Sequence, residues 1–150
     1  MNYLFTSLVL FFTFISCQKK QIEKQAKSDD TIILKYISDH NLSANKSESG
    51  LYYIIDSVGN GIFPKQASQV RTEYKGYLID ETVFDQSDSI GVIFSLQNVI
   101  KGWSEGIRYF SEGGSGKLFI PSALAYGSKG TTGIPGNSVL IFDVKLLDVY

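Results

Sequence analysis

The sequence predicts an α+β fold, with antiparallel strands and a single short helix gathered in the stretch that follows Gly50. Three observations carry this expectation. All 14 glycines and all 3 prolines lie at or after Gly50, so turn-forming residues are absent before it and dense after it. From there onward, short apolar alternations separated by turn residues give the two-residue period of strands. Only at Val99, Trp103 and Ile107 does the apolar period lengthen to four residues, the spacing of a helix face.

Taken in order, Tyr3 to Ile15 form an apolar run with no charge before Lys19. It is shorter than the roughly 20 residues that cross a bilayer core, and residues 1–16 fit a signal peptide. The run ends in Phe14-Ile15-Ser16-Cys17. This resembles a bacterial lipobox, in which a small residue precedes the cysteine that is acylated and becomes the mature N-terminus. The resemblance implies a membrane anchor at Cys17; an ordinary signal, or an uncleaved anchor whose cysteine is incidental, is the alternative. Gln18 in place of Asp after the cysteine favours the outer over the inner membrane.

From Gln18 to Ser49, 11 of 32 residues are charged and the first stretch has little apolar surface, which predicts a solvated tether. Within it, Asp29-Asp30 precede Ile33, Tyr36, Ile37 and His40 at helical spacing, so a short amphipathic helix is expected. Its stripe is expected to pack on the following domain, with pairing to a second copy as the alternative. His40 reads as a surface histidine.

The domain itself is expected over residues 50–150. Leu51 to Ile55 read as a strand ending at Gly59-Asn60-Gly61. Val70 to Leu78 follow, with Val70, Thr72 and Tyr74 on one face and Arg71, Glu73 and Lys75 on the other. Inward-facing Tyr74 directs a hydroxyl into apolar space. Val92 to Leu96 precede the helix, predicted from Asn98 to Tyr109, and Lys117 to Pro121 and Val139 to Leu146 complete the strands. Gly102 and Gly106 inside the helix each cost about 1 kcal/mol against Ala and are tolerated where a neighbour packs close. Ala125 to Asn137 form a loop of a length usually kept for function.

Counting excludes much familiar chemistry. The 14 basic residues against 15 acidic ones give a net charge of −1, and no basic block offers a nucleic-acid footprint. Cysteine and histidine occur once each, at Cys17 and His40. A disulfide framework, a Cys/His zinc site and a histidine-based nucleophilic triad therefore lack parts.

A family resemblance lies in Thr82-Val83-Phe84-Asp85-Gln86-Ser87, Val99 to Ile107, Ile120 to Gly127, Ile134-Pro135 and Leu140 to Leu147. In order and spacing these blocks resemble the FKBP-type peptidyl-prolyl isomerases, and Ser49 to Tyr53 with Gly59-Asn60-Gly61 resembles the opening strand of bacterial members. The resemblance implies an antiparallel curved sheet, a half-barrel, wrapped around one short helix with a substrate pocket between them. Position by position it assigns Phe84, Phe94, Val99, Ile100, Trp103, Ile134 and Phe142 to substrate binding and Asp85, Tyr126 and Tyr74 to catalysis. The Ile100 N–H and the Tyr126 hydroxyl would hold substrate carbonyls, and Asp85, positioned by Tyr74, would lie beside the twisting amide. Glu81 stands where members often have Gly, and Pro135-Gly136 stands where they have two prolines; both differences fall at the rim.

The implied activity is rotation of Xaa-Pro bonds in exported proteins by a lipid-anchored, periplasm-facing monomer that uses no metal and no cofactor. Its partners would be proline-containing polypeptides, with macrolides of the rapamycin type as pocket ligands. A non-catalytic chaperone or binding module in the cell envelope is the alternative, and a structural envelope lipoprotein is a third reading.

Overall fold

The computed structural model describes residues 3–150, with side chains from Gln18 onward. The signal-peptide assignment of residues 1–16 and the proposed acylation site at Cys17 fall outside the described side chains. Seven strands among the described residues form one antiparallel sheet. They are β1 (Asn45–Lys46), β2 (Tyr52–Ser57), β3 (Gln69–Tyr77), β4 (Val83–Gln86), β5 (Val92–Ser95), β6 (Ser115–Ile120) and β7 (Leu140–Val149). The order is β1-β2-β6-β7-β3-β4, with β5 also pairing with β3.

Strand β3 shapes the sheet. One edge pairs with β7 along its length, while the other is shared: Gln69–Thr72 pair with β5 and Lys75–Tyr77 with β4. At the break between them the Tyr74 N–H donates to Ser87 Oγ (2.9 Å) and the Ser87 N–H to the Tyr74 carbonyl (3.0 Å). A register shift between Arg71 and Thr72 adds a bulge against β7, and such irregularities bend a sheet and increase its twist.

Alternation along the strands then builds two apolar layers. Leu118 and Ile120 on β6 and Leu140, Phe142, Val144 and Leu146 on β7 enter the main core with Trp103, Ile107 and Phe110. Helix α2 (Lys101–Gly106) runs on into a 3₁₀ turn, Ile107–Tyr109, and lies on this concave face. The helix starts at Lys101 rather than at the predicted Asn98, because Ile100 is still extended (φ −58°, ψ 150°). The two helix glycines have the expected purpose. A Cβ on Gly102 would meet Ile120 at 2.3 Å, and one on Gly106 would meet Leu118 at 2.7 Å.

The opposite face carries a row of paired residues, Tyr52, Phe119, Ile141 and Tyr77, running across β2, β6, β7 and β3. Ile33, Tyr36 and Ile37 cover that row. They belong to a second helix, α1 (Tyr3–Asp39), that is continuous through the stretch expected to be a solvated tether. Its C-terminal turns are the short amphipathic helix expected after Asp29-Asp30, and the helix extends from there toward the N-terminus. The charged stretch is helical because Gln, Lys, Glu and Ala are strong helix formers and no Gly or Pro interrupts them. Gln25 bonds Asp29 at 2.7 Å and Lys35 bonds Asp39 at 2.6 Å, each four residues on. Asn41 ends the helix with φ 53°, and the Leu42 N–H reaches back to the Ile37 carbonyl at 2.9 Å, a Schellman closure. The packed unit therefore begins well before Gly50. His40 stacks on the Tyr36 ring at 3.9 Å between centroids and stays exposed.

Candidate active site

All ten of the domain positions singled out in the sequence surround one cavity of about 590 Å³. Tyr74 comes from β3, Phe84 and Asp85 from β4, Phe94 from β5 and Phe142 from β7. Val99 and Ile100 come from the turn into α2 and Trp103 from α2 itself, while Tyr126 and Ile134 come from the long loop between β6 and β7. Three further lining residues, Asn98, Thr131 and Thr132, escaped the sequence reading. They carry no chemical motif; the only signals were the length of the loop and the position of Asn98 beside Val99.

Trp103 forms the floor. It is 4% exposed and meets three rings nearly edge-on: Tyr74 at 5.2 Å, Phe142 at 5.3 Å and Phe94 at 5.4 Å between centroids. Phe84 closes the side through an edge contact with Phe142 at 5.5 Å. This pair sits over Gly76, where a Cβ would come within 2.7 Å of both rings. Any larger residue there would drive the wall into the cavity. The floor is so apolar that the Trp103 indole N–H has no hydrogen-bond partner among the described residues.

Polar groups ring the mouth. The Tyr74 hydroxyl donates to Asp85 Oδ2 at 2.7 Å. Burial, and then the neighbouring carboxylate, push the Tyr74 hydroxyl above its usual range, so it remains a donor at physiological pH. Asp85 is exposed, and in the free protein water screens much of its field. A ligand that covers the mouth would strip that water away. Tyr126 is also exposed at the rim. The Ile100 N–H has no backbone acceptor among the described residues, because the first helical bonds, from Trp103 and Ser104, go to the Ile100 carbonyl.

The rim departures have local explanations. Glu81 adopts φ 66° in the β3–β4 turn, a left-handed conformation that glycine takes at lower cost. A Cβ at Gly136 would lie 2.1 Å from the Ser128 carbonyl oxygen, so the second proline of the family pattern has no room in this loop.

A curved antiparallel sheet packed on a short helix, with an aromatic-floored cavity between them, is the architecture that the sequence resemblance implied. Residues 60–147 match the FKBP-type peptidyl-prolyl cis-trans isomerase family, and the chain belongs to it. It is 38% identical, over 90% of its length, to the FKBP-type peptidyl-prolyl cis-trans isomerase FkpA of Buchnera aphidicola subsp. Baizongia pistaciae, covering 60% of that protein. It is 49% identical over 105 residues to FkpA of Escherichia coli (strain K12), which spans 69% of this chain and 39% of the relative. The crystal structure of FkpA from Escherichia coli superimposes with a TM-score of 0.74 at 37% identity, covering 97% of this chain and 71% of that one. The chain thus spans between two and somewhat over three fifths of the length of the curated relatives it matches.

Proposed function

We propose that the protein accelerates cis-trans rotation about Xaa-Pro bonds in polypeptides. The observation that carries this reading is the cavity floored by Trp103 and walled by Tyr74, Phe94, Phe142 and Phe84, with polar groups only at its mouth. Uncatalysed rotation meets a barrier of about 18–20 kcal/mol because it breaks amide resonance. The twisted amide has a smaller carbonyl dipole than the planar one, so a dry apolar cavity favours it over the well-hydrated ground state. The prolyl ring settles on the Trp103 floor inside the aromatic wall. The Ile100 N–H and the Tyr126 hydroxyl take the flanking carbonyls, and Asp85, held by Tyr74, faces the amide as the substrate closes the mouth over it. No bond to the protein forms, which accords with a domain that lacks cysteine and histidine.

The lipobox-like sequence supports acylation at Cys17, and with it a place in the cell envelope facing the periplasm, with Gln18 favouring the outer membrane. Exported proteins would then be the clients. Exchange spectroscopy on an Xaa-Pro peptide tests the activity: catalytic amounts of the chain are expected to raise the exchange rate, and an unchanged rate would overturn the enzyme reading. Ile90, Val92 and Ile93, exposed on β5 and the turn that leads into it, favour a client-gripping module as the second reading. Peptide binding without acceleration would select it. Palmitate labelling that is equal in wild type and Cys17→Ala would rule out the anchor.

A further inference from the structure

Helix α1 packs on the sheet through Ile33, Tyr36 and Ile37, and another of its contacts leads to the rim of the cavity. Asp29 is fully buried, as is Ser122 at 1% exposure. The carboxylate Oδ2 accepts both the Ser122 N–H (2.9 Å) and the Ser122 hydroxyl (2.7 Å), while Oδ1 accepts the Gln25 amide (2.7 Å). A carboxylate this deeply buried is retained only where its oxygens are satisfied, and breaking one partner is costly. Ser122 in turn anchors the rim. Its carbonyl accepts the N–H groups of Ala125 (3.0 Å) and Gly127 (2.8 Å), the neighbours of Tyr126 on either side. The Gly127 carbonyl then accepts the Asn137 N–H at 2.8 Å, which closes the base of the loop bearing Thr131, Thr132 and Ile134. Tyr126 itself is 42% exposed. The backbone on either side of it is held by this chain of bonds.

We infer that Asp29, on the helix behind the sheet, is a positioning residue for the isomerase site: through Ser122 it fixes Tyr126 and the mouth of the long loop. The N-terminal helix is then part of the catalytic unit and not merely its leash. The inference rests on Tyr126 anchoring a substrate carbonyl, as proposed above. A misplaced anchor weakens substrate binding more than it slows the bound complex, so the cost falls mainly on KM.

The test uses the full chain with D29A, D29N, Y126F and the D29A/Y126F double variant, assayed for kcat and KM on an Xaa-Pro peptide and for amide hydrogen exchange. D29A is expected to lower kcat/KM by about threefold to tenfold, mostly through KM, and to have less than about a twofold effect once Tyr126 is already Phe, because the two changes act through one group. D29N keeps an oxygen facing Ser122 and is expected to restore activity. In D29A the Ala125, Gly127 and Asn137 amides exchange faster while the Leu118 and Phe142 amides keep their protection. If D29A fails to fold, S122A removes the hydroxyl bond alone and carries the same comparison. Losses that multiply in the double variant, or unaltered exchange at Gly127, overturn the inference and leave the proposed function standing. If Y126F by itself has wild-type kcat/KM, the anchor role of Tyr126 fails and takes this inference with it.

Discussion

At the level of single residues, the cavity separates shape from polarity, and the two respond differently to substitution. Tyr126→Phe removes one hydrogen bond between neutral groups, worth about 0.5–1.5 kcal/mol, and is expected to lower kcat/KM by a few-fold. Asp85→Ala deletes the carboxylate and leaves the Tyr74 hydroxyl without its acceptor, so a loss of similar size or larger is expected. Trp103→Ala opens a void under the prolyl ring and is expected to reduce kcat/KM by more than about tenfold, with a stability cost of about 3–5 kcal/mol typical of a buried aromatic. Peptide-exchange rates on folded protein, checked by circular dichroism, order the three. Turnover by Trp103→Ala equal to wild type would mean that proline does not sit on this floor. Glu81 offers a stability test free of the cavity. Glycine there relieves a left-handed strain of about 1–2 kcal/mol while adding about 0.5–1 kcal/mol of unfolded-state entropy. Glu81→Gly is therefore expected to raise the Tm slightly, read by differential scanning calorimetry.

At the level of elements, the junction between α1 and the sheet holds a carboxylate whose stabilising contribution acid removes. Lys46 bonds the Asp30 carboxylate and the Tyr52 hydroxyl bonds it at 2.7 Å. Lys46 first and then Tyr52 hold that carboxyl below the usual carboxylate range. A carboxyl depressed in the folded state stabilises above its unfolded value, near 3.9, and loses that contribution as pH falls through the folded value. The Tm gap between wild type and Asp30→Asn is accordingly expected to be open at pH 7 and 5 and to narrow at pH 3. A gap that stays constant would show that the contribution of Asp30 does not depend on its ionised form. The apolar side of the same junction is tested by Ile33→Ala, which leaves a void opposite Phe119 and Ile141 and is expected to cost about 2–4 kcal/mol in urea denaturation. The spacing of Ile33, Tyr36 and Ile37 made this stripe legible, since burial leaves a periodic mark. The helix that carries it was not legible over residues 18–28, because those side chains are mostly solvated and propensity alone holds them. Asp29 was hidden for a further reason. A buried carboxylate looks the same in sequence as a solvated one or a cap, and its partner Ser122 lies 93 residues away.

For the molecule as a whole, a sheet bent by the β3 break presents one face to α2 and the cavity and the other to α1, so the two apolar layers share the same strands. Phe119 faces α1, while its neighbours Leu118 and Ile120 face the cavity side. The strand pattern was readable because alternation leaves this mark. Strands β1 and β4 were not, since β1 has only two residues, both exposed, and β4 is exposed at all but Phe84. The pocket was readable only jointly: each aromatic alone reads as core, and only their order along the chain shows that four strands, helix α2 and the long loop meet at one cavity. That convergence gives a direct physical probe, because Trp103 is the only tryptophan in the chain and lies on the cavity floor. A macrolide of the rapamycin type, if it takes the place of proline, must displace water from that floor and change the environment of the indole. Titration is expected to shift Trp103 emission with a one-to-one end point, and isomerase activity is expected to fall in parallel with the fluorescence change. Phe84→Ala, which removes a wall that meets Phe142 rather than the fluorophore, should weaken both responses together. Inhibition without a change in Trp103 emission would place the ligand elsewhere and separate the inhibitor site from the cavity described above.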